Sequence, residues 1–209
     1  LEALCSNYWH PLYAYLRRRG FSECDAQDLT QGFFARLLEG GWVNKADATK
    51  GRFRTFLLTA LNRFIANEWD RARAQKRGGG QVICSFDTEL AEQLCARLPA
   101  GASPDAAYDR QWALTLLERA LDRVRAEQEA GGKGEEFAVL SQYLAAERGA
   151  IPYAQIATSL SVTEGAARQS VHRLRKRFRQ AFREEIAHTI HDESQIEDEI
   201  RHLLSALSG

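Results

Sequence analysis

Apolar residues recur at three- and four-residue steps along nearly the whole chain, which predicts an all-α protein. Leu4, Tyr8, Leu12, Tyr15 and Leu16 mark the buried stripe of a first helix from Leu4 to Arg19, ended by Gly20. Ser22 is placed to cap a second helix reaching about Glu39, with Ala26, Leu29, Phe33, Leu37 and Leu38 facing inward. Gly40 and Gly41 close it, and a polar loop over 42–50 leads into a long helix whose stripe is Phe53, Phe56, Leu57, Ala60, Leu61, Phe64 and Ile65. The run RGGGQ then breaks the pattern, and only a weak short helix around Leu90 to Leu98 interrupts the mixed stretch up to Pro104.

From Ser103 a further helix carries Trp112, Leu116, Leu117, Ala120, Leu121 and Val124 and stops at Gly131 and Gly132. Another spans Glu135 to Glu147 with Phe137, Leu140 and Leu144 inside. Pro152 opens a short helix with Ile156, Ala157 and Leu160 buried. A turn at Ser161 and Val162 follows, and Thr163 caps a second helix with Ala167, Val171, Leu174 and Phe178 on its inner side. The tail from His188 alternates Ile190, Ile196, Ile200, Leu203, Leu204 and Leu207 with Asp192, Glu193, Glu197, Asp198 and Glu199, an acidic amphipathic helix. The expected organisation is therefore a helical domain over 1–78, a flexible linker over 79–104, a second helical domain over 105–187 and an acidic extension over 188–209.

Charge refines this picture. The 209 residues carry no net charge, yet Lys and Arg gather in 51–77 and 168–183 while the last residues are acidic. Around the long helix, Arg52, Arg54, Arg63, Arg71, Arg73, Lys76 and Arg77 stand among Asn62, Asn67 and Trp69. Cations beside amides and aromatics suit phosphate contacts next to exposed bases, although a charged helix in a plain bundle accounts for the stretch equally well. The pair of helices after Pro152 has helix-turn-helix spacing, in which the second helix enters the major groove. Arg168, Gln169, His172, Arg173 and Lys176 lie on its outer side, where base edges would be met.

Other classes fare worse. No apolar run approaches a membrane span, and the N-terminus has no signal-peptide pattern, so a cytoplasmic location without membrane partners is expected. With no Met, the chain reads as trimmed. The four cysteines Cys5, Cys24, Cys84 and Cys95 show no paired spacing, so no metal and no cofactor are expected. No Gly-rich phosphate loop and no placed nucleophile points to catalysis, so the chain reads as no enzyme.

Residues 8–38, with Asp25, Ala26, Asp28, Leu29, Gln31 and Phe34 in the pattern D-A-x-D-L-x-Q-x-x-F, followed by the basic run over 51–77, resemble the second conserved region of bacterial sigma factors of the extracytoplasmic-function class. Residues 153–182 resemble the fourth region of the same factors, in the right order. The resemblance implies a protein that directs core RNA polymerase to promoter DNA. By it, Asp25, Asp28, Gln31 and Phe34 would meet the polymerase clamp. Lys50, Arg52, Arg54, Asn62, Arg63 and Asn67 would contact the minus-ten element, Asn62 foremost as a base contact, while Phe53 belongs rather to the core. Arg168, Gln169, His172, Arg173 and Lys176 would read the minus-thirty-five element.

The departures from that pattern are informative. Related factors typically read DAEDLVQEVF, whereas here Gln27 and Gly32 replace acids, leaving Asp25 and Asp28. Fewer charges should weaken docking on a basic clamp. Thr30 stands where an aliphatic residue is usual, and a phosphate there would add about −1.5 to −2 charges. The wording DLTQGFF is similar to the kinase-associated group of these factors, so a Ser/Thr protein kinase acting on Thr30 is an expected partner, the alternative being an ordinary surface residue. A stand-alone helix-turn-helix regulator is the rival reading, but it leaves the first domain without a role. The acidic tail either packs on the C-terminal domain, which is favoured, or folds back on a basic DNA-binding face.

Overall fold

The computed structural model describes residues 2–39, 52–74, 88–96, 98 and 101–208. Its helices are α1 (Glu2–Arg18), α2 (Glu23–Glu39), α3 (Phe53–Ala74), α4 (Thr88–Ala96), α5 (Pro104–Ala130), α6 (Gly134–Ser141), α7 (Tyr153–Ser159), α8 (Glu164–Ala187) and α9 (Ile196–Ser208). No strand occurs among the described residues, and the fold is all-α. The loop expected over 42–50, Lys50 and the RGGGQ run lie outside the described residues.

Contacts divide the chain into two compact units, one of residues 1–115 with 187–209, the other of residues 116–186. In the first unit α1 packs on both α2 and α4. Two partners bury more than one stripe of α1, so Trp9 and Tyr13 are fully buried alongside Leu12 and Leu16. Trp9 stacks on Tyr13 with ring centroids 4.7 Å apart. Ser22 caps α2, its hydroxyl accepting from the Asp25 amide at 3.1 Å, and α2 packs on α3. An aromatic cluster joins α1, α3 and α5: Tyr8 stacks on Trp112 at 4.5 Å and meets the edge of Phe53 at 5.3 Å. Phe53 is half-buried, with its ring packed into this cluster, as its place in the apolar stripe implied.

The stretch expected as a flexible linker is partly docked. Glu92 of α4 accepts hydrogen bonds from the Tyr13 hydroxyl and from Arg17 Nε at 2.6 Å. The Arg17 partnership, outweighing burial, holds the Glu92 carboxyl below its ordinary pKa. Ala14, Leu98 and Ala107 form a small apolar cluster with Cys95 packed against it. The weak apolar pattern of this segment, with Leu98 and Cys95 as its inward residues, is enough to seat it on α1.

In the second unit, Leu116, Ala120 and Val124 of α5 are buried, as are Ala167, Val171, Leu174, Ala181, Phe182 and Ile186 of α8. Their outer edges are joined by ion pairs: Arg119 with Glu185 at 2.7 Å, Arg123 with Glu184 at 2.7 Å, and Arg177 with Glu127. The helix expected over 135–147 ends at Ser141. Arg175 of α8 fills the gap, donating to the carbonyl oxygens of Tyr143, at 2.6 Å, and Ala146.

The largest difference from expectation concerns the tail. It belongs to the first unit rather than packing on the second, and its helix begins at Ile196 after a turn stabilised by Asp192, whose side chain accepts from the Ser194 amide.

Candidate nucleic-acid interface

The expected minus-ten residues do not share one face. Arg54 and Arg63 stand about two and a half turns apart on α3, which puts them on opposite sides of the helix. Arg63 and Asn67, one turn apart, are exposed together, and Asn62 is half-buried beside them. The Asn62 side-chain oxygen accepts from Tyr15 at 3.1 Å and from Arg19 at 2.7 Å, so α1 orients this amide. The remaining basic residues, Arg71, Arg73, Lys76 and Arg77, and the side chain of Trp69 lie outside what the structure describes.

Arg52 and Arg54 face the tail instead. Glu199 of α9, only 1% exposed, accepts from Arg54 Nε at 2.6 Å and pairs with Arg52 at 2.9 Å. Arg54, with its side chain 11% exposed, also pairs with Asp109 at 2.6 Å. Burial pulls the Arg54 pKa down, but the Glu199 hydrogen bond and the Asp109 charge outweigh it and raise it. Asp109 in turn meets His202 at 2.8 Å, and the buried Tyr108 hydroxyl donates to the Arg54 carbonyl. The Phe53 amide donates to the Thr189 carbonyl at 3.0 Å, satisfying a donor that the start of α3 leaves open. The first turn of α3 holds no acid of its own, so Glu199 supplies the negative charge that a helix N-terminus favours.

On α2, Asp25 and Asp28 are exposed and Gln31 is half-buried. The Asp25 carboxylate also accepts from the Ser22 hydroxyl at 2.7 Å. Two other residues assigned to this surface are inside. Phe34 is 3% exposed and packs edge-on against Phe33, so it serves the core rather than a polymerase contact. Thr30 is 0% exposed, and its hydroxyl donates to the Ala26 carbonyl at 2.7 Å. It is no surface residue, and a kinase cannot reach it in this arrangement. Gly32 is likewise more than a missing acid, because a Cβ there would stand 3.3 Å from the Phe64 ring of α3. Glycine lets the two helices approach.

In the second unit the turn between α7 and α8 places Ser161 at φ 53°, in the left-handed region. Thr163 caps α8, its hydroxyl accepting from the Ala166 amide at 3.2 Å. Arg168, Gln169, His172, Arg173 and Lys176 are all exposed on one side of α8, opposite Ala167, Val171 and Leu174. Arg168 is held by Glu164 at 2.6 Å and lies over the Tyr153 ring, 4.3 Å from its centroid. An open cleft lined by Tyr153, Arg168, His172, Arg175 and Arg179 runs beside this face. Four of its lining groups are cationic or can become so, which suits a phosphate backbone. The sequence reading missed Tyr153 as a partner of Arg168, although the two belong to adjacent helices of one motif.

Among the described residues no group of His, Cys, Asp or Glu could hold a metal, and no helix is long and apolar enough to cross a membrane. Cys24 and Cys95 are free thiols; the Cys5 side chain and Cys84 lie outside the described residues.

Comparison with known proteins finds a family model, sigma-70 region 2, matching residues 5–75. No curated protein and no solved structure matches the chain. The matched stretch takes in α1, α2 and α3, the same helices that present Asp25, Asp28, Arg63 and Asn67. Residues 5–75 are thus similar to sigma-70 region 2, which supports a sigma factor of the sigma-70 family, with core RNA polymerase and promoter DNA as the partners that family implies.

Proposed function

We propose that the chain is a sigma factor of the extracytoplasmic-function class, with region 2 on α1 to α3 and region 4 on α7 and α8. Asp25, Asp28 and Gln31 dock on the polymerase clamp. Asn62, Arg63 and Asn67 meet the minus-ten element, and Arg168, Gln169, His172, Arg173 and Lys176 read the minus-thirty-five duplex from the major groove. The observation that carries this reading is the single exposed face of α8 bearing those five residues behind a capped turn, in a chain whose earlier part matches region 2.

Activation by a Ser/Thr kinase at Thr30 is part of the proposal, with a changed mechanism. Because the hydroxyl is buried, the kinase acts on a chain whose α2 has opened. The phosphate then opposes closure, since a buried unpaired charge is too costly, and it remains outside to supplement Asp25 and Asp28.

Run-off transcription with purified core polymerase, using chain with and without kinase treatment, tests both parts. The expected result is a promoter-specific transcript that needs core enzyme and rises on phosphorylation. Absence of any association with core in either state overturns the reading, and tight binding to duplex DNA without core marks a stand-alone regulator instead.

A further inference from the structure

We propose that the C-terminal segment is a latch whose Glu199 neutralises Arg52 and Arg54, so that its release leaves this site net positive and frees Arg52 as a phosphate-binding cation of region 2. The inference rests on the sigma-factor reading above.

Three consecutive residues, Arg52, Phe53 and Arg54, are engaged from the tail. Thr189 takes the Phe53 amide, and Glu199 takes both guanidinium groups. Glu199 lies between Ile196 and Leu203, both buried, so α9 sits down on this site with a carboxylate in the middle of its apolar face. His202 and Arg110 fasten the helix further, His202 through Asp109, and Arg110 by donating to the Leu207 carbonyl at 2.6 Å. A carboxylate held between two arginines occupies the position that a phosphate oxygen would take, because both are anions that accept from a guanidinium fork. The cationic groups of α9 do not replace the arginines: Arg201 is exposed and paired with Asp198, and His202 meets Asp109, while the first turn holds Glu197, Asp198 and Glu199. While the latch is closed the site is filled in cis. When it opens, the site is left cationic beside the first turn of α3, whose free amides also favour an anion.

The test compares the full chain with one lacking residues 188–209, each bound to core polymerase on a fluorescent promoter fragment, over a salt series. Each phosphate neutralised steepens the log affinity against log salt slope by about 0.9 on duplex DNA. Arg54 keeps Asp109 as a partner when the tail is gone, so the one arginine released outright, Arg52, steepens it by about 0.9, and the advantage of the shortened chain shrinks about three- to fourfold between 50 and 200 mM salt. In the shortened chain, Arg52→Ala with Arg54→Ala removes the extra slope, and adding the 188–209 peptide in trans reduces the affinity again. Should the shortened chain fail to fold by tryptophan fluorescence, Glu199→Gln with His202→Ala loosens the latch while leaving α9 present, and a steeper slope is expected there too. Equal slopes for closed and loosened chains, or a gain that survives loss of both arginines, overturn the latch while leaving the sigma reading intact. Failure of both forms to bind promoter with core takes the two proposals down together.

Discussion

Replacing Glu199 with Ala removes the carboxylate that Arg54 and Arg52 share and leaves Arg54 buried with Asp109 as its remaining acidic partner. Losing one partner of a buried ion pair costs about 3–5 kcal/mol. Arg52 is partly exposed and can rehydrate, and Asp109 still compensates Arg54, so the lower end, about 3 kcal/mol, is expected. All four tryptophans, at 9, 42, 69 and 112, precede residue 116 in the sequence, and Trp9 and Trp112 are buried in the first unit. Fluorescence therefore reads the unfolding of that unit alone, and with an ordinary urea slope of about 1–3 kcal/mol/M its midpoint drops by about 1–3 M. The matched control is Arg201→Ala, whose pair with Asp198 is exposed on the same helix; such a pair contributes about 0–1 kcal/mol. If the two variants lose the same stability, Glu199 is not acting as the buried counter-charge of α3.

Further outcomes can be checked with the same protein. Thr30→Val, which keeps the shape and removes a hydroxyl bonded only within its own helix in this arrangement, should change stability by about 1 kcal/mol or less, whereas Thr30→Glu forces a carboxylate into the core and costs several times more; equal urea midpoints would refute the buried placement. The Glu92 carboxyl is held below its ordinary pKa by Arg17, so its contribution is complete above about pH 4.3 and is lost as pH falls through the lower folded value. Glu92→Gln should accordingly flatten the acid side of the stability curve of the first unit and leave its shape near neutral pH alone. On promoter DNA, Arg168→Ala is expected to relax base preference at one minus-thirty-five position by about 1–3 kcal/mol, while a purely phosphate-contacting cation would weaken all sequences alike and lower the salt slope by about 1; binding arrays with substituted operators separate the two.

Much of this architecture was legible because helical periodicity is local. The stripes of α3 and α8, the cap at Ser22 and the turn before Thr163 all follow from residues within a few positions of one another. Thr30 was misread as a surface residue because its polarity was weighed over its spacing: Ala26, Thr30, Phe33 and Leu37 fall on one helical face, and all four are buried. Its hydroxyl can be buried because the helix itself supplies an acceptor in the Ala26 carbonyl. Glu199 was not legible. An acid on an apolar stripe reads as solvent-facing until its partner is known, and that partner stands 145 residues away. Leu204, read as inward, is 47% exposed, because Glu199 and Leu203 turn a neighbouring line of α9 toward the core. The same blindness to distant partners made Arg52 and Arg54 look available to DNA, and made the docked α4 look like part of a tether.

The separation between Arg54 and Glu199 also has a temporal side. A ribosome adding about 5–20 residues each second needs about 7–30 s to cover the 145 positions between them. Throughout that interval a growing polypeptide displays Arg52 and Arg54 before the carboxylate they share exists, Arg54 meeting only Asp109 on the way, so each newly made copy passes through an open period before it can close itself.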